Sequence, residues 1–243
     1  MKKVVLGLGV LLLIVGCSGK TNNFSSQRTY APNTIKSLVV KGKVTVELTE
    51  KENPITHMDR NSKCKQYIID NTLYVSSHRS AFVKLGLPKL GHIEILNRAS
   101  VIGKNLQMKN LEVLVKNSGT LNLEGEFEVR NIIQNNKGKI KLGWIYGDKV
   151  NIEADGIGSI LIAGNIRVLD VKLSNRSTLN ARYLQSENTN IIAQDSSAAE
   201  VFAAKNLKAE AKDSANIYYY EKPHNINAVT TEAGNILFLN ENI

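Results

Sequence analysis

The fold of this 243-residue chain is decided by residues 111–142, which read LEVLVKNSGTLNLEGEFEVRNIIQNNKGKIKL. Short segments with alternating apolar and polar residues are interrupted by Asn and Gly, and the pattern restarts about 20 residues later. Alternation with a period of two is typical of strands, whereas Asn and Gly are typical of tight turns. The stretch therefore predicts short strands in a repeating array.

The same unit continues on both sides of this stretch, from about residue 93 towards the C-terminus. Each unit contains one polar residue that is followed closely by a small residue and then by an aliphatic one. These polar residues recur every 18 to 20 positions: Asn97, Asn117, Asn136, Asp155, Asn175, Asp195, Asp213 and Glu232. Asn and Asp side chains bond to nearby backbone and tolerate left-handed conformations, so we expect a structural ladder of turns at these positions.

A repeat of this length, with two short strands per unit, predicts an all-β fold of the single-stranded parallel β-helix (β-solenoid) type, with coils of about 20 residues. Coils stacked about 4.8 Å apart bury an apolar face that one coil cannot bury alone. The leucine-rich repeat is excluded because its LxxLxLxxN spacing does not hold. Residues 35–80 alternate similarly and are expected to form the opening coils, and residues 81–91 an irregular connection.

The N-terminus has the features of an export and anchoring signal. Lys2 and Lys3 precede an apolar run over residues 4–15, which is too short to span a bilayer and suits a signal peptide. The run ends at Cys17 in a sequence that resembles the bacterial lipobox. This resemblance implies cleavage before Cys17 and attachment of acyl chains, palmitate among them, which together hold a protein stably on a membrane.

The lipobox resemblance also sets the expected organisation and location. The absence of Asp after Cys17 implies sorting to the outer membrane. The lipid anchor could lie in either leaflet of that membrane. We expect a lipoprotein signal peptide over residues 1–16, a lipidated Cys and flexible tether over 17–33, and a solenoid over 34–243. An ordinary signal peptide with a chance Cys is the alternative.

The net charge of +9 is distributed unevenly along the chain. Residues 17–110 hold 15 basic and 6 acidic residues, whereas residues 111–243 hold 14 basic and 16 acidic ones. We expect the anchor-proximal half to face anionic lipid headgroups or lipopolysaccharide phosphates. The candidate residues for this anionic-surface patch are Lys63, Lys65, Arg79 and Lys84. A nucleic-acid partner does not fit an exported lipoprotein.

Acidic and histidine residues raise the question of metal binding or catalysis. Stacked carboxylates at Asp155, Asp195 and Asp213 could share a calcium ion or a proton, as in β-helix polysaccharide lyases. Turn chemistry explains the same residues, and the GGxGxD calcium repeat is absent. The four His residues lack a metal-ligand spacing: His57, His78, His92 and His224. We expect no catalytic residue, no metal and no cofactor.

Cys64 and the tyrosines at residues 218–220 each allow two interpretations. Cys64 lies between two lysines that would lower the pKa of an exposed thiol, or it is inert or oxidised between molecules. Tyr219 is expected to face opposite to Tyr218 and Tyr220 because side chains alternate along a strand. These rings either pack the core and cap or form an aromatic platform for sugar.

Three features of the sequence resemble those of a known protein family. They are the strand pair at residues 35–40 and 44–48, the repeated turns, and the closing stretch YYEKP at residues 219–223. They are similar to the putative auto-transporter adhesin, head GIN domain family (DUF2807), over residues 35–240. Glu221 replaces a family Gly, and most family Gly-Ser-Gly turns are Asn-Ser-Gly or Asp-Ser-Ser here. The resemblance implies a β-helical fold and an envelope location, and it brings no catalytic residues.

The sequence thus predicts a non-enzymatic, lipid-anchored β-solenoid of the bacterial envelope that presents a surface for binding or adhesion. One alternative is a periplasmic structural or assembly lipoprotein that binds another envelope protein. A carbohydrate-active β-helix enzyme is a further alternative. The expected partners are the membrane, through the N-terminal lipid, and an envelope protein, a glycan or an anionic lipid.

Overall fold

The computed structural model describes residues 34–50, 57–58 and 64–240, and these residues wind into a parallel β-helix. The predicted fold class is confirmed. No helix in the described ranges is both long enough and apolar enough to cross a membrane. The strands of the described ranges are β1 (Ser37–Thr49), β2 (His57–Met58), β3 (Cys64–Ile69), β4 (Thr72–Gly86), β5 (His92–Leu96), β6 (Ser100–Val115), β7 (Thr120–Asn136), β8 (Lys139–Gly156), β9 (Ser159–Asn175), β10 (Thr178–Ala193), β11 (Ala198–Phe202), β12 (Asn206–Ala211), β13 (Asn216–Tyr220), β14 (Asn225–Thr230) and β15 (Asn235–Phe238).

Each central coil has three straight segments, not the two that the sequence predicted. In β7 the pairing with β8 shifts after Leu123 and again after Glu128, so the strand bends twice without losing its hydrogen bonds. We call the resulting surfaces face 1 (120–123 in β7), face 2 (125–128) and face 3 (131–136). Face 2 is too short for its alternation to be recognised in the sequence, which is why two segments were expected.

The corner between face 3 and face 1 is formed by the predicted polar ladder. Its residues adopt left-handed backbone with φ between 56° and 64° at seven positions: Asn97, Asn117, Asn136, Asn175, Asp195, Asp213 and Glu232. In the remaining coil the left-handed residue is Gly156, with φ of 111°, and not Asp155. Register explains this correction, because Gly156 pairs with both Asn136 and Asn175.

The bend into face 2 depends on glycine. Gly125 and Gly164 have φ of 149° and 144°, a region that side-chain-bearing residues rarely adopt. A Cβ added to Gly164 would lie 1.9 Å from the carbonyl oxygen of Ile145 in the preceding coil. Only Gly therefore permits these coils to stack closely at this bend.

The core runs continuously along the inside of the coils. Inward residues from Ile35 in the first coils to Ile217 near the last belong to one buried cluster. On face 3 the inward positions repeat as aliphatic residues at the same register, for example Val171, Ile191 and Ala209. This stacking explains why the apolar residues recur with the coil period.

The N-terminal end is closed by an antiparallel element that the sequence did not predict. Strand β1 lies between β4 and β5, and β3 pairs antiparallel with the outer edge of β4. Asp70 and Asn71, both left-handed, form the tight turn that joins β3 to β4. The expected irregular connection over 81–91 is only partly correct, because residues 81–86 continue β4 along β1. Leu87 and Leu90 in the remainder are buried.

The C-terminal end has no covering element among the described residues. Every residue of β14 is exposed, whereas the equivalent inward positions of β12 are buried. Exposed apolar residues at this end are Ile226, Val229, Leu237 and Leu239. The two ends of the solenoid therefore differ, with a closed N-terminal end and an open C-terminal one.

Candidate functional site

The carboxylates of the corner ladder are used in local hydrogen bonds. The Asp195 carboxylate accepts the backbone N–H of Asn175 at 2.8 Å, and Asp213 accepts that of Asp195 at 3.0 Å. Asp155 accepts hydrogen bonds from the side chains of Ser174 and Asn175. Among the described residues no group of acidic, His or Cys side chains could hold a metal ion. These carboxylates therefore have local hydrogen-bond partners at the corners.

The basic residues of the first coils gather at one corner, which we call the basic corner: Lys41, Lys43, Lys65 and Arg79. Lys41 and Lys65 both pair with Ser76, so they project from the same face on either side of it. Arg79 lies in a bulge of β4 opposite Lys43, and its backbone N–H donates to the buried Ser77 hydroxyl at 3.2 Å. All four basic side chains are exposed.

The basic corner differs from the predicted anionic-surface patch. Lys65 and Arg79 belong to it, but Lys84 lies on face 1, where its ammonium forms a 2.9 Å ion pair with Glu47. Lys63 lies outside the described residues. Lys41 and Lys43 were missed, although the sequence Lys-Gly-Lys places two basic residues around Gly42, which is left-handed at φ 94°.

The remaining candidate side chains are dispersed or buried. Cys64 is 1% exposed, and its thiol donates to the carbonyl oxygen of Lys65 at 3.9 Å, so it is not a surface thiol activated by lysines. His78 and His224 are exposed on different coils, and His92 lies 3.9 Å from Glu112. The side chain of His57 lies outside what the structure describes.

The most exposed aromatic side chains lie on face 2. Trp144 pairs with Ala163, and Ala163 pairs with Tyr183, so the three residues form one outward column across three coils. Trp144 is 52% exposed and Tyr183 is 58% exposed. We call this the aromatic column. Tyr and Trp carry an apolar ring and a polar tip, and partly exposed ones are frequent in binding surfaces.

A second outward column of polar side chains runs beside the aromatic column, two residues further along each coil. Tyr146, Asn165 and Gln185 occupy equivalent positions in it. The Asn165 amide donates to the Gln185 side-chain oxygen at 3.5 Å. These amides present donors and acceptors to solvent immediately next to the two exposed rings.

The position of Tyr183 is fixed by the preceding residue, Arg182, and by Tyr220 from a coil nearer the C-terminus. The Arg182 guanidinium lies 4.5 Å from the Tyr183 ring centre and 5.5 Å from that of Tyr220, and it donates to the Tyr183 hydroxyl at 2.6 Å. The Tyr220 hydroxyl in turn donates to Glu200 at 3.1 Å. Tyr219 packs against the core, so of the three consecutive tyrosines Tyr220 supports the aromatic column.

A cavity of about 380 Å³ lies at the N-terminal end of face 2. Its lining combines three lysines with other polar, apolar and aromatic residues: Lys36, Pro88, Lys89, Leu90, Gln107, Met108, Lys109, Glu126 and Tyr146. Glu126 pairs with Trp144, and Tyr146 belongs to the polar column, so the cavity is continuous with the aromatic column. We call it the lysine cavity.

Face 3 carries a wider shallow groove of about 560 Å³, in which Asp170 and Glu210 form ion pairs with lysines. Partial burial acts to raise the pKa of the Asp170 carboxyl, but hydrogen bonds from Lys149 and Asn190 outweigh it and lower that pKa. At the neighbouring corner, Arg167 lowers the pKa of Asp148 through a two-atom hydrogen-bonded contact. These contacts favour the charged forms of Asp170 and Asp148.

The family model for the putative auto-transporter adhesin, head GIN domain (DUF2807) matches residues 34–223. The chain belongs to this family. The head GIN domain thus accounts for most of the described solenoid, and Glu221, which replaces the family Gly, adopts the left-handed conformation that Gly favours, with φ of 70°. The family description names an adhesin and no enzyme.

Solved structures share the fold of this head GIN domain at low sequence identity. A putative adhesin from Parabacteroides merdae is 17% identical with a TM-score of 0.74, over 84% of this chain and 92% of that chain. A putative lipid binding protein from Parabacteroides distasonis is 17% identical with a TM-score of 0.65, over 85% and 93%. A putative adhesin from Bacteroides fragilis is 14% identical with a TM-score of 0.56, over 95% and 98%. No curated protein gives a significant match.

The aromatic column of this head GIN domain escaped the sequence analysis, although its signal is present. Trp144, Ala163 and Tyr183 are separated by 19 and 20 residues, the same spacing as the corner ladder. Once the period is known, residues one or two periods apart are neighbours across coils. The corner ladder marks the period but does not point to these rings, because Trp144 and Tyr183 lie two coils apart with an alanine between them.

Proposed function

We propose that the protein is a non-enzymatic, lipid-anchored solenoid of the bacterial envelope that presents its side faces for binding, as an adhesin does. The observation that carries this proposal is the aromatic column, in which two rings more than half exposed are held in register on a stacked β scaffold. Exposed aromatic side chains on a rigid surface are typical of recognition sites. The family description agrees with an adhesive role.

The position of the basic corner supports an orientation on the membrane. Strand β1 enters the solenoid at its N-terminal end, so the proposed tether from Cys17 joins the end that also carries the basic corner. Exposed Lys and Arg near a membrane surface are attracted to anionic headgroups. The solenoid would then stand with its N-terminal end at the membrane and its binding faces pointing away.

A second candidate is an assembly lipoprotein that binds another envelope protein, and the open C-terminal end favours it. Ile226 and Leu237 are 50% and 48% exposed at the end of the core. Repeat proteins usually cover such ends with a capping element or a partner. In this candidate a protein partner would contact the last coil.

The lipid anchor is tested in cells by labelling and fractionation. We expect wild-type protein to incorporate labelled palmitate and sediment with membranes, whereas Cys17→Ser is unlabelled and soluble. Ser18→Ala is the matched control and should remain membrane-bound. Membrane retention of Cys17→Ser without label would contradict the anchor.

Protease treatment of intact cells distinguishes adhesion from assembly. Cleavage by added protease supports an adhesin on the cell surface. Complete protection, with cleavage only after the outer membrane is opened, contradicts the surface role and favours the assembly lipoprotein.

A further inference from the structure

We propose that face 2 is a binding site for an acidic glycan, with one pyranose ring held between Trp144 and Tyr183 and an anionic substituent in the lysine cavity. This inference rests on the proposed binding function and names its ligand class. It depends on three features of the described residues: the gap in the aromatic column, the adjacent polar column and the charge of the cavity.

The gap in the aromatic column has the dimensions of a sugar ring. Trp144 and Tyr183 are two coils apart, which corresponds to roughly 10 Å between their backbones. Ala163 lies between them and carries only a methyl group, and side chains in strands stand roughly perpendicular to the sheet. A sugar ring in van der Waals contact with an aromatic face on each side needs about 7–8 Å between those two faces.

The gap is on the accessible side of Tyr183. Arg182 contacts the Tyr183 ring and also the ring of Tyr220, which belongs to a coil nearer the C-terminus. Ala163 and Trp144 belong to coils on the opposite side of Tyr183. Arg182 therefore supports the ring without occupying the gap, and it fixes the ring in the absence of ligand, which lowers the entropy cost of binding.

The polar groups around the gap fit a carbohydrate better than an apolar ligand. Asn165 and Gln185 present side-chain amides in the column beside the gap, and Glu126 is exposed on the far side of Trp144, one coil before it. Sugars combine C–H faces, which pack on rings, with hydroxyls that need donors and acceptors on the same side. An acyl chain in the gap would offer these amides no hydrogen-bond partners.

The lysine cavity adds a preference for negative charge. Lys36, Lys89 and Lys109 line it with Glu126 as the single carboxylate, and no ion pair with a described residue neutralises these lysines. The cavity begins beside Glu126 and Tyr146, so a chain that occupies the gap reaches it along face 2. Carboxylate, sulfate or phosphate groups on successive sugars would be attracted there.

The site has a built-in reporter, because Trp144 is the single Trp of the protein. The detergent-solubilised full chain is titrated with tetrasaccharides of galacturonate, of hyaluronan and of chondroitin sulfate while Trp144 emission is followed. The methyl-esterified galacturonate tetrasaccharide, which is uncharged, is the matched control ligand for the acidic form. We expect at least one acidic tetrasaccharide to change the emission and the uncharged form to bind about tenfold more weakly.

Separate variants test the contributions of the gap and of the lysine cavity to binding. Ala163→Leu fills the gap and leaves both rings in place, and we expect it to raise Kd about tenfold, as should Tyr183→Ala. Ile192→Ala on face 3 is the matched control and should leave Kd unchanged. Lys89→Gln with Lys109→Gln should remove the preference for the acidic over the uncharged form.

Three results would overturn the inference. These are no emission change with any tetrasaccharide, an unchanged Kd in Ala163→Leu, or a response of Trp144 to phosphatidylglycerol vesicles instead of sugars. Each leaves the proposed envelope-binding function standing, because that function is tested separately through Cys17 and protease access. Loss of membrane attachment in wild-type cells would contradict the anchor without affecting the sugar titration.

Discussion

At the scale of single residues, the solenoid depends on where a side chain is forbidden. Gly164 illustrates this, since its φ of 144° and the Ile145 carbonyl oxygen of the preceding coil leave no room for a Cβ. Gly125, at the start of face 2 two coils earlier, is similarly close to the Leu106 carbonyl oxygen. The same bend positions Ala163 and Trp144 on face 2, so backbone strain here would disturb the aromatic column.

Gly164→Ala is expected to destabilise the protein by about 2 kcal/mol or more, because Ala is strained at this φ and collides with the neighbouring backbone. Chemical denaturation followed by Trp144 fluorescence measures the change. Gly91→Ala is the matched control: its Cβ would lie 3.8 Å from the nearest atom, an ordinary contact. Equal stability of the two variants would contradict this role of Gly164.

At the scale of elements, the β3–β4 hairpin closes the N-terminal end of the sheet. It covers the outer edge of β4 and buries Cys64, while the stacked rings of Tyr67 and Tyr74, 4.8 Å apart, hold the two strands together outside. An uncovered strand edge invites pairing with other chains. The hairpin therefore protects the end that we place near the membrane.

Thiol labelling of Cys64 reports the opening of this hairpin. In a Cys17→Ser background Cys64 is the single Cys, and we expect slow labelling in native protein because the thiol is buried. Asn71→Val places a β-branched residue at φ 61° in the hairpin turn and should accelerate labelling about fivefold or more. Asn225→Val in β14 at the far end is the control, and an equal acceleration there would contradict local opening.

At the scale of the whole molecule, the two halves of the chain differ in net charge. Residues 17–110 carry a net charge of +9 and residues 111–243 one of −2. The structure concentrates exposed members of the first group at the basic corner, on the coils that the proposed tether enters. In the proposed arrangement, tether and charge would act together to orient the long axis away from an anionic surface.

Vesicle binding tests this orientation. The unacylated chain should bind phosphatidylglycerol-containing vesicles at low salt and dissociate as salt increases. Joint reversal of Lys41, Lys65 and Arg79 to Glu should abolish binding, whereas joint reversal of Lys139, Lys172 and Lys208 should leave most of it. Sedimentation with the vesicles is the measurement, and equal loss in both variants would show that net charge, not the basic corner, is responsible.

The sequence by itself determined the repeat, because a stacked solenoid places the same side chain in the same environment once per coil. The ladder from Asn97 to Glu232 therefore identified the corners, with Asp155 displaced by one residue from the left-handed position of Gly156. The lipobox around Cys17 is likewise a local signal, and it remains a prediction. Such features depend on neighbours in sequence or on a fixed period.

Only the tertiary structure decided which residues meet across coils and where the chain departs from the period. The antiparallel β3, the insertion of β1 between β4 and β5, and the ion pair of Lys84 with Glu47 all join residues at irregular sequence separations. The lysine cavity is similar, since Lys36, Lys89 and Lys109 come from three coils or connections. No periodic pattern encodes these contacts, because they depend on how the first coils close.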